Sequence, residues 1–172
     1  MGIYWGDSPL KTRDHLPALG VGPLIVNPQL ILTLVGVILS ACGYFDVGKI
    51  AVFKIPFSII GAFIIIFGIS IWYRANYKEK IFDHIVENEL VTTGVYAMVR
   101  NPIYSAFWLV CVGAVLIANN IVLWIIPAVC WLYMTIILKL TEEKWLSNLY
   151  GQAYTEYCKN VNRCIPWFVK RK

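Results

Sequence analysis

No charged residue occurs between Ile103 and Leu138. That run is about twice the roughly 20 residues a helix needs to cross a hydrocarbon core about 30 Å thick. It must therefore fold back on itself, because irregular backbone facing lipid would leave its polar groups unpaired. Asn119 and Asn120 stand at its middle, and two adjacent amides are best placed where water reaches them. The run thus reads as a tight helical hairpin with spans Ile103 to Ala118 and Ile121 to Leu138.

Two more spans precede it. Gln29 to Phe45 is one, and Ile50 to Tyr73 is the other, with Lys54 near enough to its start for the ammonium to reach the interface. Leu16 to Val26 is also apolar, but Pro17, Gly20, Gly22 and Pro23 interrupt it, so it reads as a loop or interfacial segment. The expected fold is all-α: a polytopic bundle of four spanning helices with an amphipathic C-terminal helix on the cytoplasmic face. The chain reads as one domain over residues 1–172.

Composition agrees with a membrane class. The chain is 59% hydrophobic and 15% charged, with mean hydropathy +0.65, against about 25% charged in ordinary soluble domains. A net charge of +5 does not point to nucleic acid, because the basic residues flank apolar segments instead of forming a stripe among exposed aromatics. Four spans leave Lys49 and Lys54 on one side and every other lysine and arginine on the opposite side. By the positive-inside rule both termini are then cytoplasmic. The spans contain no Asp, Glu, Arg or His suited to an ion pathway. Gly36, Ser40, Gly61, Gly68 and Gly113 are expected to let helices approach closely.

Five cysteines show no CxxC spacing, so neither a disulfide nor a metal framework is expected. Cys42, Cys111 and Cys130 lie in apolar runs and read as small buried hydrophobes, which leaves Cys158 and Cys164 as the candidates for reactivity. His15 and His84 are isolated from any acid or cysteine at ligand spacing, and no metal is expected. No cleavable signal peptide, prenylation signal or myristoylation signal is read in the chain.

Polar chemistry gathers at the cytoplasmic ends of the hairpin. Pro102 suits the first position of a helix and Asn101 suits its cap, so the third span presents its positive N-terminus beside Arg100, a place for a carboxylate or phosphate. Glu142 and Glu143 follow the fourth span closely, and one hairpin returns them near Arg100. Such acids at a helix C-terminus oppose the macrodipole, which favours a functional reason for them: binding an ammonium group or pairing with Arg100. Leu146, Leu149, Tyr150, Tyr154, Tyr157 and Val161 then recur at helical spacing around Gly151, an expected kink. This amphipathic segment lies back over the bundle, as packing or as the roof of a pocket for a planar ring.

Leu90-Val91-Thr92-Thr93-Gly94-Val95-Tyr96, Arg100-Asn101-Pro102-Ile103-Tyr104, Glu142-Glu143 with Leu146, Tyr150-Gly151, Tyr154, Tyr157 and Ile165-Pro166 together resemble the isoprenylcysteine carboxyl methyltransferase family and its phospholipid methyltransferase relatives. The resemblance covers residues 88–166. It implies transfer of a methyl group from S-adenosylmethionine, held in a cytoplasmic pocket, to a lipid-like or prenylated acceptor entering from the membrane lipids. Carried over by position, cofactor contacts fall on Asn88, Glu89, Leu90, Val91, Tyr96, Asn101, Pro102, Ile103, Tyr104 and Glu142. Arg100 and Glu143 are the expected catalytic groups, with Glu143 or a tyrosine the base if the acceptor is an amine. Asn88 and Asn101 depart from the family pattern. Leu138 stands where the prenylcysteine enzymes place an arginine before the first glutamate, so a prenylcysteine carboxylate, a phospholipid amine, another lipid and a hydrophobic small molecule all stay open as acceptors. Two other readings stand beside this one: an NADPH-dependent membrane reductase of the steroid-reductase type, and a non-enzymatic membrane accessory or scaffold protein. No oligomeric state is implied.

Overall fold

The computed structural model describes residues 20–79, 81–87 and 89–167. Among these residues six α-helices run in the order α1 Gly22–Ala41, α2 Lys54–Tyr73, α3 Ile81–Glu87, α4 Pro102–Ile117, α5 Ile125–Leu140 and α6 Glu142–Asn160. Among the described residues there is no β-strand, only an isolated bridge between Lys49 and Asn120. Three stretches among the described residues are long and apolar enough to cross a membrane: Gly22–Ala41, Ala51–Lys78 and Ile121–Leu140. The fourth apolar helix, α4, has 16 residues and spans roughly 24 Å at 1.5 Å per residue. Large apolar side chains point outward along these stretches, Ile55 at 72% and Phe63 at 69% exposure. Lipid is the solvent that tolerates such a surface, and the molecule is a multi-pass membrane protein.

Helix α4 is the axis of the bundle. It packs along α2 on one side and against α1 and α5 on the other. Glycines set the α2 contact: a Cβ on Gly61 would lie 2.6 Å from the Gly113 carbonyl, and one on Gly68 would lie 2.9 Å from that of Ala106. Small residues bring the two backbones together because lipid supplies no hydrophobic drive for helix association. Ile25 of α1 meets Met134 and Leu138 of α5 and Cys164 of the C-terminal segment in a buried cluster.

The hairpin α4/α5 lies where the apolar pattern puts it, but several local expectations are overturned, and Cys42, unlike Cys111 and Cys130, is exposed and not buried. The first span begins at Gly22, not Gln29, so Gly22 to Val26 is helix and not loop; residues 16–19 of that expected loop lie outside the described residues. Pro23 sits in the first turn, where its missing N–H costs nothing. Pro28, inside the helix, removes the donor for the Leu24 carbonyl, and Tyr133 of α5 donates its hydroxyl there at 3.0 Å.

Asn119 and Asn120 are buried and not solvated. Asn120 Nδ2 donates to Ser40 Oγ at 2.8 Å and to the Phe45 carbonyl at 2.9 Å, and Asn119 Nδ2 donates to the Ile50 carbonyl at 2.8 Å. Here the amides replace water as partners for the α1–α2 loop. Thr141, at φ −120° and ψ −86°, breaks the chain after α5. Glu142 and Glu143 therefore open α6, where the macrodipole favours acids, instead of closing α5. Asn101 precedes α4 as expected, but its side chain does not cap it.

Candidate binding site at the helix ends

Helix ends and a turn build this site. Gly94, at φ +57°, takes the left-handed conformation open to glycine and starts the 3-10 turn Gly94–Ala97. That turn buries Tyr96 against Val95 and Ala75. Tyr157 of α6 donates its hydroxyl to the Tyr96 carbonyl at 2.5 Å, tying the C-terminal helix to the turn. The kink at Gly151, φ +54° and ψ −122°, turns the second half of α6 over the bundle, and Tyr154 and Tyr157 are its buried face.

Beneath that roof is a cavity of about 530 Å³, within the range of pockets that hold drug-sized ligands. Its wall brings together Glu89, Leu90, Val91, Tyr96, Arg100, Asn101, Pro102, Ile103, Tyr104 and Glu142, with Tyr150, Tyr154 and Leu146 above. Of the residues expected from sequence, Glu143 is not on the wall, and Asn88 lies outside the described residues. Leu149 and Val161 of the expected amphipathic face are also off the wall.

Among the described residues two acids line the cavity, and of these Glu89 is exposed while Glu142 is half-buried. Glu142 Oε1 accepts from the Tyr104 hydroxyl and from the Val21 N–H at 3.3 Å; no other hydrogen bond to its carboxylate occurs among the described residues. Burial holds its carboxyl above the usual range, and the bonds from Tyr104 and Val21 oppose that rise. Burial likewise pushes the phenols of Tyr96, Tyr154 and Tyr157 up, so they act as neutral donors and surfaces at physiological pH.

Glu143 points the other way. Arg163 grips it with both edges of its fork, Nε donating to Oε1 at 2.7 Å and Nη2 to Oε2 at 2.8 Å, and Arg100 Nη2 lies 3.2 Å from Oε1. The expected return of the acids to Arg100 is therefore present for Glu143. Arg100 also donates Nη1 to the Cys158 thiol. His84, without an expected partner in the sequence, has Nδ1 2.9 Å from Glu89 Oε2. Cys164 is buried, with its thiol pushed up to about 11 chiefly by burial.

Sequence reasoning missed one whole wall. Gly20 comes from the turn before α1, Gly22, Pro23, Val26 and Asn27 from the start of α1, and Trp72, Asn76 and Phe107 from α2, the turn after it and α4. Asn27 and Asn76, polar residues at the ends of apolar runs, were the available signal. Arg163 carried none, because its partner is 20 residues away.

A family model described as phospholipid methyltransferase matches residues 56–153. Among curated proteins, the chain is 34% identical over 92 residues to protein-S-isoprenylcysteine O-methyltransferase of Schizosaccharomyces pombe, covering 49% of this chain and 39% of that protein. It is 31% identical over 123 residues to the Homo sapiens protein of that name, covering 66% and 42%, and 31% identical over 95 residues to protein-S-isoprenylcysteine O-methyltransferase B of Arabidopsis thaliana, covering 51% and 48%. The matches thus span less than half the length of each of these relatives. No solved structure matches the chain significantly.

Proposed function

Because the chain belongs to the phospholipid methyltransferase family, we propose that it is an integral membrane methyltransferase that uses S-adenosylmethionine and methylates a lipid-borne or hydrophobic acceptor, in the manner of the isoprenylcysteine carboxyl O-methyltransferases it resembles. One observation carries the reading: apart from Asn88, which lies outside the described residues, the positions that the resemblance assigns to the cofactor line one cavity that holds a partly buried acid. In this reading four helices span the bilayer, α4 included, and both termini and α6 are cytoplasmic.

The residues present fit such a cofactor. Among the described residues Glu142 is bonded through Oε1 alone, which leaves Oε2 for an ammonium group. The first turn of α4 offers N–H groups and a partial positive charge to a carboxylate, and Leu90, Val91, Tyr96 and Tyr150 offer apolar and aromatic surface to a purine. When bound, the cofactor supplies a methyl group on a positively charged sulfur. The chain aligns the acceptor with it and excludes water beneath the tyrosine roof. Val26, Trp72 and Phe107 give the cavity an apolar side toward the bundle, suited to a lipid chain.

Arg100 supplies positive potential at the wall, which favours an anionic acceptor, and such an acceptor needs no general base. Glu143 has both oxygens taken by guanidinium donors, which supports a part in orienting Arg100 more than in accepting a proton. The test is methyl transfer in detergent from labelled S-adenosylmethionine, offered an S-farnesylcysteine derivative or phosphatidylethanolamine in separate reactions. Base-labile label on the farnesylcysteine is the expected result. Label on the phosphatidylethanolamine amine would move the acceptor to the phospholipid class, and no S-adenosylmethionine binding by folded protein would overturn the reading.

A further inference from the structure

The C-terminal segment after α6 does more than end the chain. It runs back across the start of α4, and three backbone contacts fasten it there: Arg100 N donates to the Asn162 carbonyl at 2.8 Å, Asn101 N to the Arg163 carbonyl at 3.2 Å, and Trp167 N to the Met98 carbonyl at 3.1 Å. The Asn101 side chain adds a fourth, Nδ2 donating to the Arg163 carbonyl at 3.0 Å. This explains why Asn101 does not cap α4: its amide is turned to the strap. Arg163 is thus bonded at both ends, with its carbonyl on Asn101 and its guanidinium on Glu143.

Arg100 shares that carboxylate. Its side chain is 9% exposed, and its Nε has no partner among the described residues. A buried guanidinium keeps its place through the groups it is bonded to, and here those are Glu143 and the Cys158 thiol. Glu143 in turn sits in the first turn of α6, and its orientation is set by the two-point grip of Arg163. A planar fork on a carboxylate fixes direction as well as distance, which a lysine ammonium cannot do.

We propose that Arg163 is a positioning residue for the cavity: through Glu143 it sets the direction of Arg100, and through its own carbonyl it holds Asn101 at the wall. Arg163 itself is not on the cavity wall, so it acts through these two residues. The consequence for ligand binding rests on the cofactor reading above; the positioning of Arg100 and Asn101 does not.

Arg163→Lys keeps the charge and removes the fork, and Glu143→Gln removes the carboxylate, so the two variants approach the same link from both ends. Hydrogen–deuterium exchange of the ligand-free protein reads the Arg100 and Asn101 amides directly. The expected result is at least about fivefold faster exchange over residues 98–104 in Arg163→Lys, with exchange along α5 and the melting midpoint in detergent unchanged. S-adenosylhomocysteine affinity is expected to fall about tenfold in each single variant and no further in the double variant, because the two act through one link. Unchanged exchange over residues 98–104 would overturn the proposal. Faster exchange with affinity within twofold of the parent would also overturn it, leaving the strap as packing alone. If the parent protein binds no S-adenosyl ligand, the cofactor reading falls, and the exchange result by itself decides whether Arg163 positions Arg100 and Asn101.

Discussion

Burial raises the proton affinity of Glu142 above the ordinary carboxyl value of 4.5, and its hydrogen bonds only oppose that rise. An acid raised in this direction stabilises the fold fully below its ordinary value, and the contribution is lost as pH climbs through the raised value. At neutral pH its ionised form is thus a cost to the empty protein, offset when an ammonium group arrives. Glu142→Gln is therefore expected to leave the melting midpoint in detergent at pH 7 equal or higher. In the parent protein, S-adenosylmethionine affinity should fall as pH drops through the raised Glu142 value, since the neutral acid no longer attracts the ammonium; in Glu142→Gln that pH dependence should vanish. Gly20 makes a second prediction. At φ +48°, a Cβ there would lie 2.5 Å from Glu142 Oε1, and a left-handed non-glycine residue costs about 1–2 kcal/mol. Gly20→Ala is expected to lower the melting midpoint and weaken cofactor binding together, checked by thermal unfolding and titration of the same preparation.

The helices divide into those whose bounds periodicity can find and those set by distant partners. Helix α4 begins at Pro102 and α5 follows the Asn119-Asn120 turn, because a proline and a pair of amides mark these ends within the sequence. The start of α1 was not legible in the same way. Two glycines and two prolines argue against a helix there, yet Pro23 falls in the first turn and Tyr133, more than 100 residues away, supplies the donor that the Leu24 carbonyl lacks beside Pro28. Thr141 is a related case: the two acids after it suit the first turn of a new helix, but no proline or glycine separates them from the apolar run of α5. The buried amides are the sharpest case: water was the expected partner, and the α1–α2 loop is the partner found. Asn120→Leu should orphan the turn and cost about 1–3 kcal/mol, seen as a lower melting midpoint. Because Asn120 is at the far end of α4 from the cavity, S-adenosylmethionine affinity should stay within twofold.

For the whole molecule, charge placement makes the topology testable. In a Cys42→Ser background, a membrane-impermeant maleimide added outside intact cells should label Asp46→Cys, on the loop between α1 and α2, and should spare Lys159→Cys on α6. Labelling of both or of Lys159→Cys alone would contradict the four-span arrangement. The cavity wall was legible from Glu89 to Tyr104 and at Glu142, where motifs carry the chemistry in short stretches. The α1 wall and the Arg163 link were not, because folding alone brings them in. In the proposed function this cavity holds S-adenosylmethionine through Glu142, and the decisive measurement is calorimetric titration of purified protein in detergent. Saturable binding is predicted, with affinity about 10- to 100-fold weaker in Glu142→Gln, as removal of a charge-assisted hydrogen bond implies, and no binding of NADPH. Absence of S-adenosylmethionine binding in folded protein, or equal affinity in parent and variant, would contradict the account.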